Sequence, residues 1–231
     1  MVKIKFNEEK HEYTIDDKKC KSVTTLIGEL FKPFNSKRMA KILSTPDKTA
    51  QDFLNEWREA ANHGTRVHKA LENHILKKPT ELKIERDTLK TAQGIKALHK
   101  IFKTLGEPIC YPELIIGNKK LGIAGTIDLM IEHNHPDNNK TDRVATLIDW
   151  KTNKKISEIA YGKGIHETTK HLNDSSVVKY GLQMSMYAFI LETFYGTKID
   201  KLYLIHLFED GYNIIDMKYM KDDVKKILKV K

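Results

Sequence analysis

Two apolar segments near the middle of the chain constrain its fold more than any other feature, because each carries charge where a buried strand should be uncharged. The segments GTIDLMI and VATLIDWK have the composition and length of buried β-strands. Asp128 interrupts the first segment, and Asp149 with Lys151 ends the second. A buried carboxylate or ammonium group is costly unless it is paired or bound to a metal ion. The charges therefore indicate either a structural ion pair or a functional site at the ends of adjacent strands.

A further acidic residue lies one predicted strand earlier. Glu113 is the only acidic residue in the apolar segment YPELIIG. Side chains two positions apart on a strand share a face, so Asp149 and Lys151 point the same way, with Asp128 on the preceding strand. Three carboxylates that converge at the end of a sheet form an oxygen-rich site suited to Mg²⁺ or Mn²⁺. The alternative, in which Lys151 forms an ion pair with Asp149 or Glu113, stays open.

The remaining pattern predicts an α/β or α+β domain with a mixed sheet. A hairpin is expected within residues 3–27, around Asp16, Asp17 and Lys18. The predicted helices cover residues 44–61, 65–76, 86–106, 176–196 and a short C-terminal segment, and the predicted strands cover 111–117, 121–133, 143–151, 200–208 and 212–219.

Several local signals set the predicted helix ends. Ser44, Thr45 and Pro46 predict the start of the first helix, and Gly64 predicts a break before the second. In the helix predicted for 86–106, Leu89 is among the residues expected to face the core. The loop 133–142 contains His133 and His135, which are expected to be solvated rather than to bind a metal.

The charge balance favours a polyanionic partner. Lys and Arg total 40 against 31 Asp and Glu, which gives a formal net charge of +9. Such a surface attracts nucleic acid. Only five of the basic residues are arginines, and bidentate reading of guanine favours arginine, so DNA would be contacted through its backbone with little sequence preference. A low-GC genome also enriches lysine, and that alternative explanation stays open.

The composition also argues against several classes of protein. The two cysteines, Cys20 and Cys110, cannot supply four ligands, so no iron–sulfur cluster is expected. No apolar run approaches the roughly 18 residues of a membrane span, and no signal-peptide core is evident. No membrane partner is expected, and the simplest expectation is a cytoplasmic protein, encoded by a bacterium or by a phage in its host. No P-loop occurs, so any helicase or recombination partner would be a separate chain.

The ordered acidic residues and lysine resemble a known signature. Glu113, then Asp128 in GTID, then Asp149 and Lys151 in DWKT are similar to the active-site motif of the PD-(D/E)XK nuclease superfamily. The forms G-x-x-D and D-x-K-T resemble its RecB-like exonuclease branch, in particular small phage-type or mitochondrial genome-maintenance-exonuclease-like members. The resemblance covers about residues 57–190, together with the segment SVTTLI.

Two more motifs extend the resemblance. Gln183 and Tyr187 form a Q-x-x-x-Y motif that follows the lysine strand on a helix in that branch. His68 in GTRVHKALE is similar to the branch's upstream histidine, which implies a role as a metal ligand. Trp150 is expected to pack on the opposite sheet face and to offer only its carbonyl to a metal.

The resemblance implies a restriction-endonuclease-like core within a single nuclease domain, residues 1–231. An N-terminal hairpin and helical region would occupy 1–106, the catalytic core 107–220 and a C-terminal helix 221–231. The implied activity is Mg²⁺- or Mn²⁺-dependent exonucleolytic hydrolysis of DNA, acting on single strands or duplex ends. The alternatives are a sequence- or structure-specific endonuclease and a DNA-binding subunit without catalysis.

The resemblance also implies a division of roles. The expected metal ligands are the side chains of His68, Glu113, Asp128 and Asp149. Lys151 would orient or activate the attacking water, and Gln183 and Tyr187 would orient the site.

Overall fold

The computed structural model describes residues 3–135, 143–160 and 162–230, and there the chain is a mixed α/β protein, as predicted. The described strands are β1 (Ile4–Asn7), β2 (Glu12–Ile15), β3 (Lys18–Ser22), β4 (Gly106–Asn118), β5 (Ile123–Asn134), β6 (Arg143–Lys151), β7 (Ile199–Leu207) and β8 (Tyr212–Asp216). The described α-helices are α1 (Val23–Leu30), α2 (Ser36–Leu43), α3 (Ala50–Ile75), α4 (Glu85–Phe102), α5 (Ser176–Ile190) and α6 (Lys221–Leu228), and a π-helical turn, Leu191–Tyr195, follows α5. Most of the predicted loop 133–142 lies outside the described residues.

One mixed sheet contains all eight of these strands, in the order β1-β2-β3-β5-β6-β7-β8, with β4 paired to β5. β4 pairs antiparallel with one edge of β5. Both β3 and β6 pair with the other edge of β5, each along a different part of it. β3 pairs in parallel at Ile123 and Ala124, and β6 pairs antiparallel from Leu129 onward. Residues 125–128 therefore lie between the two pairing segments, and Asp128 sits where β6 diverges from β5.

Two apolar clusters bury the two faces of the sheet. One cluster joins α1, α5 and α6 to side chains that include Leu147 of β6. The other joins α3 and α4 to side chains that include Ile148 and Trp150. Because side chains alternate along a strand, Asp149 and Lys151 lie on the face of Leu147, and Trp150 on the opposite face. This is the orientation predicted for Trp150.

A single continuous helix, α3, replaces the two helices predicted for 44–61 and 65–76. It passes through Gly64 without a break. Glycine in a helix interior costs only about 1 kcal/mol relative to alanine, so packing easily overrides it. A Cβ at Gly64 would lie 3.2 Å from Thr152 Oγ1, at the end of β6. Gly64 is therefore a position of close approach between α3 and the sheet.

Two helix starts also differ from the prediction. α3 begins after Thr49 rather than at Ser44, and Thr49 forms a capping box with Asp52. The N-terminal hairpin ends before residue 27, because Ser22 caps α1 by accepting a hydrogen bond from the backbone N–H of Thr25. In both cases the hydroxyl next to the first turn satisfies a free backbone donor.

The buried face of α4 is more polar than apolar periodicity predicts. Leu89, expected in the core, is exposed, whereas Asp87 and Lys90 are buried. The Asp87 carboxylate accepts a hydrogen bond from Arg66 of α3. The ammonium group of Lys90 donates to the carbonyl of Thr152 at 2.7 Å. These hydrogen bonds connect α4 to α3 and to the end of β6.

Candidate functional site

Three side chains from three different elements converge beside the end of β6. His68 of α3, Glu113 of β4 and Asp128 of β5 each offer a ligand atom, and these atoms all lie within 4.8 Å of one another. All three side chains are half-buried. Carboxylate oxygens suit Mg²⁺ and Mn²⁺, and an imidazole nitrogen is accepted by Mn²⁺. This group, called the metal cluster below, has the composition of a divalent-cation site.

The pairing of β4 with β5 brings the two carboxylates together. Pro112 pairs with Leu129 and Leu114 pairs with Ile127, so Glu113 lies opposite Asp128. Glu113 has a φ of +48°, in the left-handed region. Holding a residue other than glycine in such a conformation costs on the order of 1–3 kcal/mol, and such strain is concentrated at functional sites.

His68 is held by the backbone of Trp150. Its Nε2 lies 3.0 Å from the Trp150 carbonyl oxygen, which can only accept, so Nε2 carries the hydrogen. Nδ1 lies 3.4 Å from Asp128 Oδ2, and in the neutral ring it presents a lone pair to that oxygen. Two facing lone pairs repel one another unless a proton or a cation lies between them. The Trp150 carbonyl thus orients His68, and its predicted contact with a metal stays a prediction.

Asp128 also closes the gap between β5 and β6. Its Oδ2 accepts a hydrogen bond of 2.8 Å from the backbone N–H of Trp150. This contact replaces the strand pairing that ends at Leu129 and Ile148. The same carboxylate therefore belongs to the metal cluster and fixes the end of β6, which positions Asp149 and Lys151.

Asp149 lies beside the metal cluster but outside the group of converging ligand atoms. Its Oδ1 accepts a hydrogen bond of 3.2 Å from Gln183, and its Oδ2 forms an ion pair with Lys151. The two paired side chains are only 7% and 16% exposed. Burial lowers the pKa of Lys151, but Asp149 and Asp128 together raise it above its ordinary value. Lys151 is therefore a charged ammonium group beside the cluster.

Gln183 and Tyr187 lie one turn apart on α5 and both face the site. Gln183 holds Asp149, and Tyr187 lines the same small gap as Asp128 and Asp149. The ring of Tyr187 packs against the backbone of Gly125. The two residues of the Q-x-x-x-Y motif thus contact β5 and β6, two of the three strands that carry the acidic residues.

Comparisons with protein-family models and with curated proteins identified no relative of this chain. No protein-family model matches the chain. No curated protein matches it either. Among the residues that the structure describes, no helix combines the length and the apolar character that a membrane span requires.

Three further side chains support the end of β6 and were not predicted from the sequence. Lys90 holds the Thr152 carbonyl, and His206 Nε2 lies 2.6 Å from the carbonyl oxygen of Asn153. The Lys151 ammonium lies 4.6 Å from the ring centroid of Tyr180, one turn before Gln183. Only Tyr180 leaves a sequence signal, because it shares the helix face of the Q-x-x-x-Y motif.

The expectation for His133 was wrong. His133 is not solvated: it is buried within β5 and lies 3.0 Å from the Thr146 hydroxyl of β6. Its other ring nitrogen contacts the Asn134 carbonyl. His133 is a core residue that joins β5 to β6, away from the metal cluster.

Gly125→Ala is expected to destabilise the protein by about 1–3 kcal/mol, because overpacking displaces neighbouring groups. A Cβ there would lie 2.7 and 2.8 Å from the Cε1 and hydroxyl oxygen of Tyr187. Gly28→Ala is the matched control, since a Cβ at Gly28 of α1 meets no atom within 4 Å. That control should gain up to about 1 kcal/mol. Urea unfolding in EDTA measures both, and equal stabilities would contradict the close packing of Tyr187 on β5.

Stability of the metal-free protein is expected to fall as the pH rises from about 5 to about 8. Burial and the nearby Asp128 carboxylate raise the pKa of Glu113 from 4.5 to about 8. Within this window the folded protein retains a proton that the unfolded chain has lost, so the folded state becomes relatively less stable with increasing pH. Glu113→Gln removes this contribution. Thermal unfolding in EDTA across the window compares the two proteins, and identical pH profiles would contradict the assignment.

Proposed function

We propose that this chain is a Mg²⁺- or Mn²⁺-dependent deoxyribonuclease of the PD-(D/E)XK superfamily, in its RecB-like exonuclease branch. The observation that carries the proposal is the convergence of His68, Glu113 and Asp128 beside the Asp149–Lys151 pair. A structural salt bridge explains Asp149 with Lys151 alone. It does not explain why an imidazole and two carboxylates face one another from three elements, with Glu113 held in a strained backbone conformation.

The donor set fits a divalent cation. His68, Glu113 and Asp128 would hold it, and Asp149 is close enough to the cluster to interact electrostatically with Asp128. A bound cation would act as a Lewis acid toward the phosphoryl oxygen and would lower the pKa of its water. Neutralising the two clustered carboxylates would also remove their mutual repulsion.

The remaining residues have separate chemical roles. Lys151 places an ammonium group beside the cluster, where it stabilises negative charge that grows on the phosphate during hydrolysis. Asp149 and Gln183 hold that ammonium group in position. The Trp150 carbonyl fixes the ring of His68, and hydrogen bonds of this kind maintain the orientation of a histidine ligand.

The excess of lysine supports DNA as the substrate. A net charge of +9 draws a polyanion to the surface, and lysine contacts phosphate as a point charge without reading bases. Action at ends or on single strands follows from the RecB-like motifs. Any helicase or recombination partner would supply strand separation from a separate chain.

The test is digestion of single- and double-stranded DNA and RNA, labelled at either end, with Mn²⁺ or with EDTA. We expect DNA to be shortened from an end to mononucleotides or short oligonucleotides, with metal only. A plasmid is incubated in a parallel reaction, and its cleavage to discrete fragments would favour the endonuclease alternative. Intact DNA after incubation of folded protein with either metal would overturn the enzymatic function and favour a DNA-binding subunit.

A further inference from the structure

The helical hairpin formed by α2 and the first half of α3 is exposed to an unusual degree. Ala40 is the only buried residue of α2. From residue 50 to residue 62 of α3, every side chain is exposed or half-buried. A surface helix normally buries one apolar stripe against the core, and this hairpin buries almost none.

Apolar side chains nevertheless lie on this hairpin. Phe34, just before α2, is 69% exposed, and Ile42 near the end of α2 is 62% exposed. The ring of Phe34 meets the ring of Trp57 edge-on, with centroids 5.6 Å apart. The Trp57 ring in turn lies 6.2 Å from that of Phe53. These three rings, called the aromatic row below, form one continuous aromatic surface whose outermost member is open to solvent.

The segment that carries Phe34 is strongly basic, whereas the first half of α3, which carries the other two rings, has charges of both signs. Between residues 32 and 48 the only acidic residue is Asp47, against five basic residues: Lys32, Lys37, Arg38, Lys41 and Lys48. The first four of these are exposed. The ammonium of Lys48 lies 4.3 Å from the ring centroid of Phe53. Lys48 also forms an ion pair with Glu56, so the excess of positive charge lies around Phe34 and α2, at one end of the aromatic row.

The aromatic row is aligned with the metal cluster along one helix. Trp57 precedes His68 by eleven positions on α3, which corresponds to about three turns and about 16 Å along the axis. Three turns return to nearly the same helix face, and a nucleic-acid strand that joins the two would pass beside Gly64, where Thr152 packs against α3. At about 3.4 Å per stacked nucleotide, this separation matches roughly five nucleotides.

We propose that the aromatic row binds the bases of a single-stranded nucleic acid that extends from the metal cluster along α3, while the neighbouring lysines contact its phosphates. The proposal rests on the nuclease function proposed above and specifies its substrate as single-stranded near the site. Aromatic side chains in a basic groove stack on bases of any sequence, and a duplex hides the faces of its bases. A protein partner fits less well, because the centres of protein interfaces are depleted of lysine.

The test measures binding of fluorescein-labelled oligothymidylates in EDTA, so that no cleavage occurs. Phe34→Ala is expected to weaken binding of dT12 by roughly 5- to 100-fold, the range typical of losing a stacked base. Phe34 is mostly exposed, so its truncation leaves no cavity. Phe194→Ala is the matched control, because Phe194 is also surface-exposed, at 38%, but lies on the π-helical turn. It should bind dT12 as the unchanged protein does.

A second measurement uses no disruptive variant. Stacking on Trp57 should quench tryptophan fluorescence when dT12 binds, and Trp57→Phe should remove that quenching, because Trp150 is buried. Binding of dT12 without quenching would overturn the proposal.

The possible outcomes separate this proposal from the nuclease function. If Phe34→Ala binds dT12 like the Phe194→Ala control while the protein degrades DNA, the proposed binding of bases by the aromatic row is wrong and the nuclease function is retained. If the protein binds dT12 through Phe34 but cleaves nothing with Mn²⁺, only the nuclease function is overturned. A stable dimer in sedimentation that Phe34→Ala dissociates would assign this surface to a second copy of the chain and overturn the proposal.

Discussion

Asp128→Asn is expected to lower metal-dependent DNA cleavage by more than about 100-fold and to weaken Mn²⁺ binding, because the cluster loses one of its two carboxylates. The substitution retains an oxygen that can accept the hydrogen bond from the Trp150 N–H. It also removes a negative charge opposite Glu113, so the metal-free protein should be as stable as before or more stable. Single-turnover cleavage, calorimetric Mn²⁺ titration and thermal unfolding in EDTA measure these three effects.

A matched control is available on the same strand. Glu132 of β5 is a half-buried acidic residue that pairs with Arg143, away from the metal cluster. Glu132→Gln should leave both cleavage and Mn²⁺ binding close to those of the unchanged protein. A large loss of stability in Asp128→Asn, with Mn²⁺ binding preserved, would instead show that Asp128 has a structural role where β6 diverges from β5.

Lys151→Met is expected to reduce cleavage by about 10²–10⁴-fold while Mn²⁺ still binds. The ammonium group cannot coordinate a cation, and its removal takes a positive charge away from the cluster, so Mn²⁺ should bind equally well or more tightly. The rate of the chemical step falls, because the Lys151 ammonium group no longer stabilises the negative charge that develops on the phosphate.

The ion pair with Asp149 adds a second expected effect. Removing Lys151 leaves the Asp149 carboxylate buried with Gln183 as its remaining partner, and breaking a buried pair typically costs about 3–5 kcal/mol. Cleavage is therefore measured well below the melting temperature of the variant, with Mn²⁺ present. Lys201→Met is the control, since Lys201 forms an exposed pair with Asp216. Cleavage by Lys151→Met at a rate near that of the Lys201→Met control would remove Lys151 from the catalytic machinery.

Much of the sheet could be predicted because its strands have strong local signals. The apolar runs of β4, β5 and β6 and the Asp210–Gly211 turn between β7 and β8 are visible in short windows of sequence. Spacing along consecutive strands also placed Glu113 and Asp128 as neighbours, and the register of β4 against β5 brings them opposite one another.

The features that could not be predicted depend on contacts between distant segments. The position of Gly64 inside α3 makes sense only with Thr152 beside it. The burial of Lys90 depends on a carbonyl at the end of β6, and the burial of His133 on a hydroxyl of the neighbouring strand. Local patterns count such residues as solvent-facing, because they contain no information about a distant polar partner.

The contacts of the Asp149 carboxylate also could not be predicted from the sequence. That Asp149 binds metal with Glu113 and Asp128, as the motif implies, stays a prediction, and its two oxygens contact Lys151 and Gln183. The D-x-K spacing puts both side chains on one face of β6, and this arrangement allows either a ligand or an ion pair. The contact with Gln183 depends on the position of α5, about which the D-x-K spacing contains no information.

Whether His68, Glu113 and Asp128 hold a catalytic cation is tested by the Mn²⁺ dependence of single-turnover hydrolysis of end-labelled single-stranded DNA, measured for the unchanged protein and for His68→Ala. We expect cleavage to be absent in EDTA and to saturate with increasing Mn²⁺. His68→Ala should require a higher Mn²⁺ concentration for half-maximal cleavage, by roughly 10-fold or more. Cleavage that persists in EDTA, or a half-saturating Mn²⁺ concentration unchanged by His68→Ala, would contradict the account.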